Sequence, residues 1–100
     1  EKKLKKKIKV IDLRWLSSIN IEAMIRSIGN CNNVLIVDEC RRTGCHGEGI
    51  YYQLKRLSDK EKNIKLHAAE DSFIPLGVAA TATLPSKESI IKNALDMINE

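Results

Sequence analysis

The sequence predicts an α/β domain with a mostly parallel sheet, and three observations predict it. Apolar runs of strand length alternate with stripes of helical period. Those runs are close to continuously apolar, as strands covered on both faces require. The connections between them are long enough to be helices, which implies parallel strands joined by right-handed crossovers with helices on the faces. One hundred residues, 43% hydrophobic and 30% charged, make one small globular domain.

The elements follow in order. Lys9–Leu16 (KVIDLRWL) is rich in β-branched and apolar residues and predicts a first strand over Ile8–Leu13. Ser17, Ser18 and Asn20 are turn and capping residues, with Asn20 as N-cap and Glu22 in the first turn of a helix. Ile21, Met24, Ile25 and Ile28 share a face of it, and Gly29-Asn30 stops it. Val34–Asp38 is a second strand, four apolar residues closed by an acid, expected at the sheet interior with the slowest amide exchange. Ile50, Leu54 and Leu57 form the stripe of a second helix ending near Ser58-Asp59. Ile64–His67 is a third strand. Glu70–Leu84, with Pro75 and Gly77, has no clean period and is expected to be an ordered loop. Ser86 caps a last helix whose Ile90, Ile91, Ala94, Leu95 and Ile98 face the core.

Charge excludes more than it suggests. The net charge is +4, but six of the 17 basic residues lie at Lys2, Lys3, Lys5, Lys6, Lys7 and Lys9. The remainder is balanced near −1. The lysine run has no interleaved arginine or aromatic to read or stack on bases, so a solvated helix end is expected there and a nucleic-acid partner is not. No apolar run approaches the roughly 20 residues needed to span a bilayer. No signal-peptide core is expected after the lysines, and three cysteines, an odd number, read as reduced thiols in a cytoplasmic setting.

Chemistry is concentrated in Val37–Ile50 (VDECRRTGCHGEGI), at the carboxyl end of the second strand, where open α/β sheets place ligands and partners. A P-loop would need a lysine and a hydroxyl residue after its second glycine, and a dinucleotide fingerprint would need G-x-G-x-x-G; this stretch has neither. Cys40, Cys45 and His46 lie together with Cys31 upstream, but a structural zinc site needs a second paired knuckle, and His67, the other histidine, falls inside a strand as a packed or surface residue. Cys45 and His46 are adjacent, which seldom lets a nucleophile and its base face each other. Catalytic, cofactor-binding and metal-ligating residues are therefore expected to be absent. The glycines serve a tight turn and close helix approach, and Asp38, Glu39, Arg41 and Arg42 are expected to form ion pairs within the loop or across an interface. Asp38, Glu39, Arg41, Arg42, Thr43, Gly44 and Glu48 are the interface or loop candidates.

Three stretches together, Lys9–Ile28, Val34–Gly44 and Ala69–Gly77 followed by Leu84–Leu95, resemble the C-terminal domain of the transketolase-like family. The nearest likeness is to the beta chain, or its fused equivalent, of thiamine-diphosphate-dependent 2-oxo acid dehydrogenases acting on pyruvate or branched-chain 2-oxo acids. The V-I-D-L-R-W-L-S-S, D-E-x-R-x-T-G and E-D-S-F-I-P motifs carry it. Two departures stand out. Cys45 takes the place of a second glycine after Thr43-Gly44, and Glu48 stands one residue before the position directly preceding Ile50.

The resemblance implies a three-layer α/β/α sandwich with a mixed five-stranded sheet, here truncated at its N-terminus so that the lysine run is the tail of an earlier helix. It implies an accessory role in subunit dimerisation and docking, with no cofactor held by this chain. Thiamine diphosphate and Mg²⁺ would be bound by upstream domains or an alpha chain. Its partners would be a second beta chain and a lipoyl acyltransferase core, in the cytoplasm or the mitochondrial matrix. A transketolase or related synthase is the alternative parent, and a small basic nucleic-acid binder the alternative of another class.

Overall fold

The computed structural model describes residues 6–14, 17, 19–58, 61–71, 77 and 84–99. Their order is α1 (Ile21–Ile28), β1 (Asn33–Arg41), α2 (His46–Leu57), β2 (Asn63–Ala69) and α3 (Lys87–Ile98). The α/β class and the parallel pairing are as the sequence predicts. β1 and β2 run parallel in continuous register from Asn33↔Asn63 to Asp38↔Ala68, after which Glu39 and Cys40 bulge out and Arg41 pairs with Ala69. The Arg42 N–H then donates to Ala69 O at 3.1 Å, closing the ladder beyond the bulge.

Alternation along the strands assigns the layers. Ile64 joins Met24 and Ile28 of α1 and Ile50 and Leu54 of α2 in the buried core, with Val34 and Ile36 packed against it. One face of the sheet thus carries α1 and α2. On the other face His67 lies 2.8 Å from Ser89 Oγ of α3. Helices on both faces of a parallel sheet make three layers, consistent with the α/β/α sandwich that the resemblance implies.

The helix signals are local and hold. The Asn20 side chain accepts the Ala23 N–H at 3.0 Å, and Gly29, at φ 55°, takes the left-handed turn that ends α1. Two lysines meet the carbonyl end of α1: Lys9 Nζ donates to Ser27 O at 2.7 Å, and Lys62 Nζ to Gly29 O and Cys31 O at 2.9 and 2.7 Å. Ser86 and Ser89 form a reciprocal capping box at the start of α3.

Five expectations are corrected. Ile8–Leu13 is not a strand: the segment is irregular, with Val10 85%, Ile8 43% and Ile11 40% exposed, and only Leu13 packs against the core. A strand exists through its ladder, and neither β1 nor β2 pairs with these residues, so their β-branched composition has nothing to act on. The sheet among the described residues consequently has two strands rather than three, and Val34–Asp38 lies at an edge, with Val37 44% exposed. Residues 6–9 of the lysine run are likewise irregular rather than helical. Leu57 is 50% exposed instead of facing the core. On α3, Met97 is the buried residue, whereas Ile90, Ile91, Ala94, Leu95 and Ile98 are half-buried. Most of the expected Glu70–Leu84 loop lies outside the described residues.

Burial along α2 separates its apolar stripe into a part that holds the fold and a part that does not. Leu54 is 1% exposed. Leu54→Ala should cost about 2–5 kcal/mol in urea unfolding, while Leu57→Ala should stay within about 0.5 kcal/mol of the parent. Equal losses would contradict this packing.

Candidate functional site

The carboxyl end of β1 is organised around Asp38. Its Oδ1 accepts the Cys40 N–H at 2.9 Å across the bulge, and its Oδ2 accepts the Gly47 N–H at 2.9 Å in the first turn of α2. Both are backbone donors that a bulge and a helix start leave without ladder partners. Burial pushes the Asp38 carboxyl up, but the Cys40 and Gly47 N–H groups, with the thiols of Cys45 and Cys40 nearby, together hold it below the ordinary value.

The approach that allows this is set by Gly47. A Cβ there would stand 2.8 Å from Leu66 Cδ1, 3.1 Å from Asp38 Oδ2 and 3.2 Å from Asp38 Cβ. Gly44, at φ 81°, supplies the left-handed residue of the turn.

The start of α2 is capped by unusual means. Cys45 is the N-cap, buried, with its Sγ accepting the Glu48 N–H at 3.3 Å and its thiol donating to Arg42 O at 3.4 Å. Sulfur is a weak acceptor, and Glu48 reinforces the cap by reaching back to accept the Gly44 N–H at 3.0 Å. That is the work of Glu48 in this chain. The displaced carboxylate stands at the third helical position, where an acid closes a capping box and meets the positive end of the helix.

A second link joins two of the motifs that the sequence analysis read separately. Thr43 donates from its N–H to Asp71 Oδ1 at 2.8 Å and from its hydroxyl to Asp71 Oδ2 at 2.5 Å. These bonds, first the hydroxyl and then the N–H, hold Asp71 below the usual carboxylate value against a small desolvation cost, with the charges of Arg41 and Arg42 adding to them. Beside it, Ser89 Oγ donates its one proton to Ser86 O at 3.0 Å, so the Nε2–H of His67 is the donor in the 2.8 Å contact between them. Burial, and then the Arg42 charge, hold His67 below its ordinary value.

The structure therefore gathers the predicted residues but redistributes their roles. Asp38, Thr43, Gly44 and Glu48 are bound up in hydrogen bonds or turn geometry within the domain. Glu39, Arg41 and Arg42 are exposed. The ion pairs expected within the loop are absent among the described residues, because Asp38 takes backbone N–H groups that have no alternative partner, whereas the arginines are solvated. Cys45, Gly47 and Asp71 were missing from the predicted set. Asp71 had a signal, its place in the E-D-S-F-I-P motif. An open cleft of about 410 Å³ lies against the start of α2, lined by Ile19, Ile21, Cys45, His46, Ile50 and Gln53 among others. Among the described residues no three His, Cys, Asp or Glu side chains are grouped to hold a metal ion.

Comparison with known proteins agrees with the motifs. The chain is 29% identical over 89 residues, 87% of its length, to the pyruvate dehydrogenase E1 component subunit beta of Staphylococcus epidermidis. It is 27% identical over 93 residues, 91% of its length, to the subunit of the same name from Staphylococcus aureus. The likeness to the beta chain is borne out. These matches support a transketolase-like C-terminal domain of the 2-oxo acid dehydrogenase beta chain. The chain spans only 27% and 29% of the length of those two relatives. No family model matches it.

Two glycines of α2 separate close approach from ordinary helix propensity. Gly47→Ala should destabilise by about 1–3 kcal/mol through overpacking against Leu66 and Asp38. Gly49→Ala, where an added Cβ meets nothing within 4 Å, should be neutral or stabilise by up to about 1 kcal/mol. Chemical denaturation of the two variants reads the difference.

The shifted groups also fix a pH dependence. His67 is lowered from 6.5, so the folded chain binds its proton less readily than the unfolded one, and stability falls as pH drops below that value. Asp38 and Asp71 are lowered from 3.8, so their contribution is intact above that value and is lost as pH falls through it towards the folded-state values. The urea midpoint should be flat near neutrality and fall in two stages on acidification. His67→Gln, which keeps an N–H donor, should abolish the first stage and leave the second.

Proposed function

We propose that this chain is an accessory assembly domain of a thiamine-diphosphate-dependent 2-oxo acid dehydrogenase. The parent enzyme would decarboxylate pyruvate or a branched-chain 2-oxo acid oxidatively and pass the acyl group to a lipoyl arm. The observation that carries this is the similarity to pyruvate dehydrogenase E1 component beta subunits across 87% of the chain. In this reading thiamine diphosphate and Mg²⁺ are held by other domains or by an alpha chain. The present domain pairs with a second beta chain and helps seat the enzyme on a lipoyl acyltransferase core, in the cytoplasm, and is inactive by itself.

The division of labour at the end of β1 supports the assembly role. Asp38, Glu48, Thr43 and Asp71 direct their polar atoms inward, to the backbone or to each other. Glu39, Arg41 and Arg42 are left exposed beside them on a turn that this bonding holds in one shape. Exposed charges on a pre-organised turn suit recognition of another protein surface. Among the described residues no nucleophile with an oriented base is assembled there.

The test is Arg42→Ala in the complete enzyme, followed by sedimentation and steady-state kinetics. Association of the beta chains or of the enzyme with its acyltransferase core should weaken by up to about tenfold, about 1.4 kcal/mol, with the KM for the 2-oxo acid unchanged. A large fall in turnover with assembly and melting temperature intact would overturn the assignment. So would micromolar binding of thiamine diphosphate with Mg²⁺ to this chain in calorimetric titration.

A further inference from the structure

Cys40 and Cys45 converge on one carboxylate from two different elements. Cys40 is exposed in the bulge that ends β1, with its N–H on Asp38 Oδ1 at 2.9 Å. Cys45 is buried at the N-cap of α2, with its Sγ between the Glu48 N–H and Arg42 O. Gly47, two residues after Cys45, places its N–H on Asp38 Oδ2 at 2.9 Å, so one carboxylate holds both the bulge that carries Cys40 and the helix start that Cys45 caps. The four residues between them, 41–44, make a turn fixed by Gly44 at φ 81° and by the Thr43–Asp71 bonds.

We propose that Cys40 and Cys45 form a dithiol site that reacts with a low-molecular-weight disulfide and closes to an intramolecular Cys40–Cys45 disulfide. The exposed Cys40 thiolate attacks one sulfur of the reagent, forming a mixed disulfide and releasing the first thiolate. The Cys45 thiolate then attacks Cys40 Sγ, forming the protein disulfide and releasing the second. The protein loses two electrons and two protons, and the reagent leaves as two thiols. No further oxidant is needed.

The surroundings set when this happens. Asp38 faces Cys40 and its charge, first among several causes, pushes the Cys40 thiol up; desolvation and Cys45 act the same way and Arg41 opposes them. The same carboxylate that holds the bulge thus keeps the Cys40 thiol protonated and slows the first attack at neutral pH. Closure also removes the S–H that Cys45 donates to Arg42 O. It ties the bulge to the helix start covalently.

Cys31→Ser leaves the pair as the only cysteines, and this variant is incubated with oxidised glutathione under native conditions and in urea. Mass spectrometry with peptide mapping should find a product lighter by two hydrogens, with Cys40 joined to Cys45 and the glutathione adduct transient. Closure should be favoured by about tenfold or more in the folded chain over the unfolded one, and its rate should rise with pH. Adding Cys45→Ser, which keeps an oxygen N-cap, should leave a stable glutathione adduct on Cys40. The proposal is overturned by a lasting adduct on Cys40 with Cys45 still a thiol, by Cys40–Cys40 dimers as the main product, or by equal closure in urea.

Discussion

The pair of hydrogen bonds from the Cys40 and Gly47 N–H groups to the Asp38 carboxylate is the constraint on which the functional end of this domain depends. A parallel strand that feeds a helix leaves unpaired donors at the strand's end and at the helix start, and here both sets meet one acid. Because the acid is the last inward-facing residue of β1, it lies on the same face as the helix it caps. Gly47 makes the contact sterically possible, Cys45 and Glu48 complete the cap, and the turn from Arg42 to Gly44 is what remains once those ends are fixed. Thr43 then has one place to be, and Asp71 meets it there.

Much of this architecture was legible in the sequence. Asn20 before an apolar stripe, Gly29 after it, and Ser86 three residues before Ser89 are local signals, and the elements they bound are found where they place them. The parallel relation of β1 and β2 followed from the length of the helical connection. That Ile8–Leu13 forms no strand was not legible, since a strand's existence depends on a neighbour that its own residues do not encode. Leu57 failed for a related reason: a helical stripe reports a face and not how far other elements extend beneath it.

The site was legible in kind and not in wiring. Composition announced a strand-to-helix turn with glycines for close approach, and that is what Val37–Ile50 forms. The sign pattern of Asp38, Glu39, Arg41 and Arg42 suggested mutual neutralisation. Backbone N–H groups at a helix start compete better for a carboxylate than hydrated guanidinium groups do, and charge patterning alone does not contain that comparison. The Thr43–Asp71 contact joins residues 28 apart and arises only because parallel pairing brings the ends of β1 and β2 side by side.

That contact has a consequence for how such a domain can vary. The turn between β1 and α2 is anchored at Asp38, at Thr43 and at Gly47, each by bonds a few atoms long, so its length is set to the residue. Adding or removing one position between Arg41 and Gly44 would carry Thr43 away from Asp71 or rotate Gly47 out from under Leu66. The domain can therefore change the chemical character of Glu39, Arg41 and Arg42 freely while keeping their spacing, and a relative that differs in loop length at this point must have rebuilt the end of its sheet.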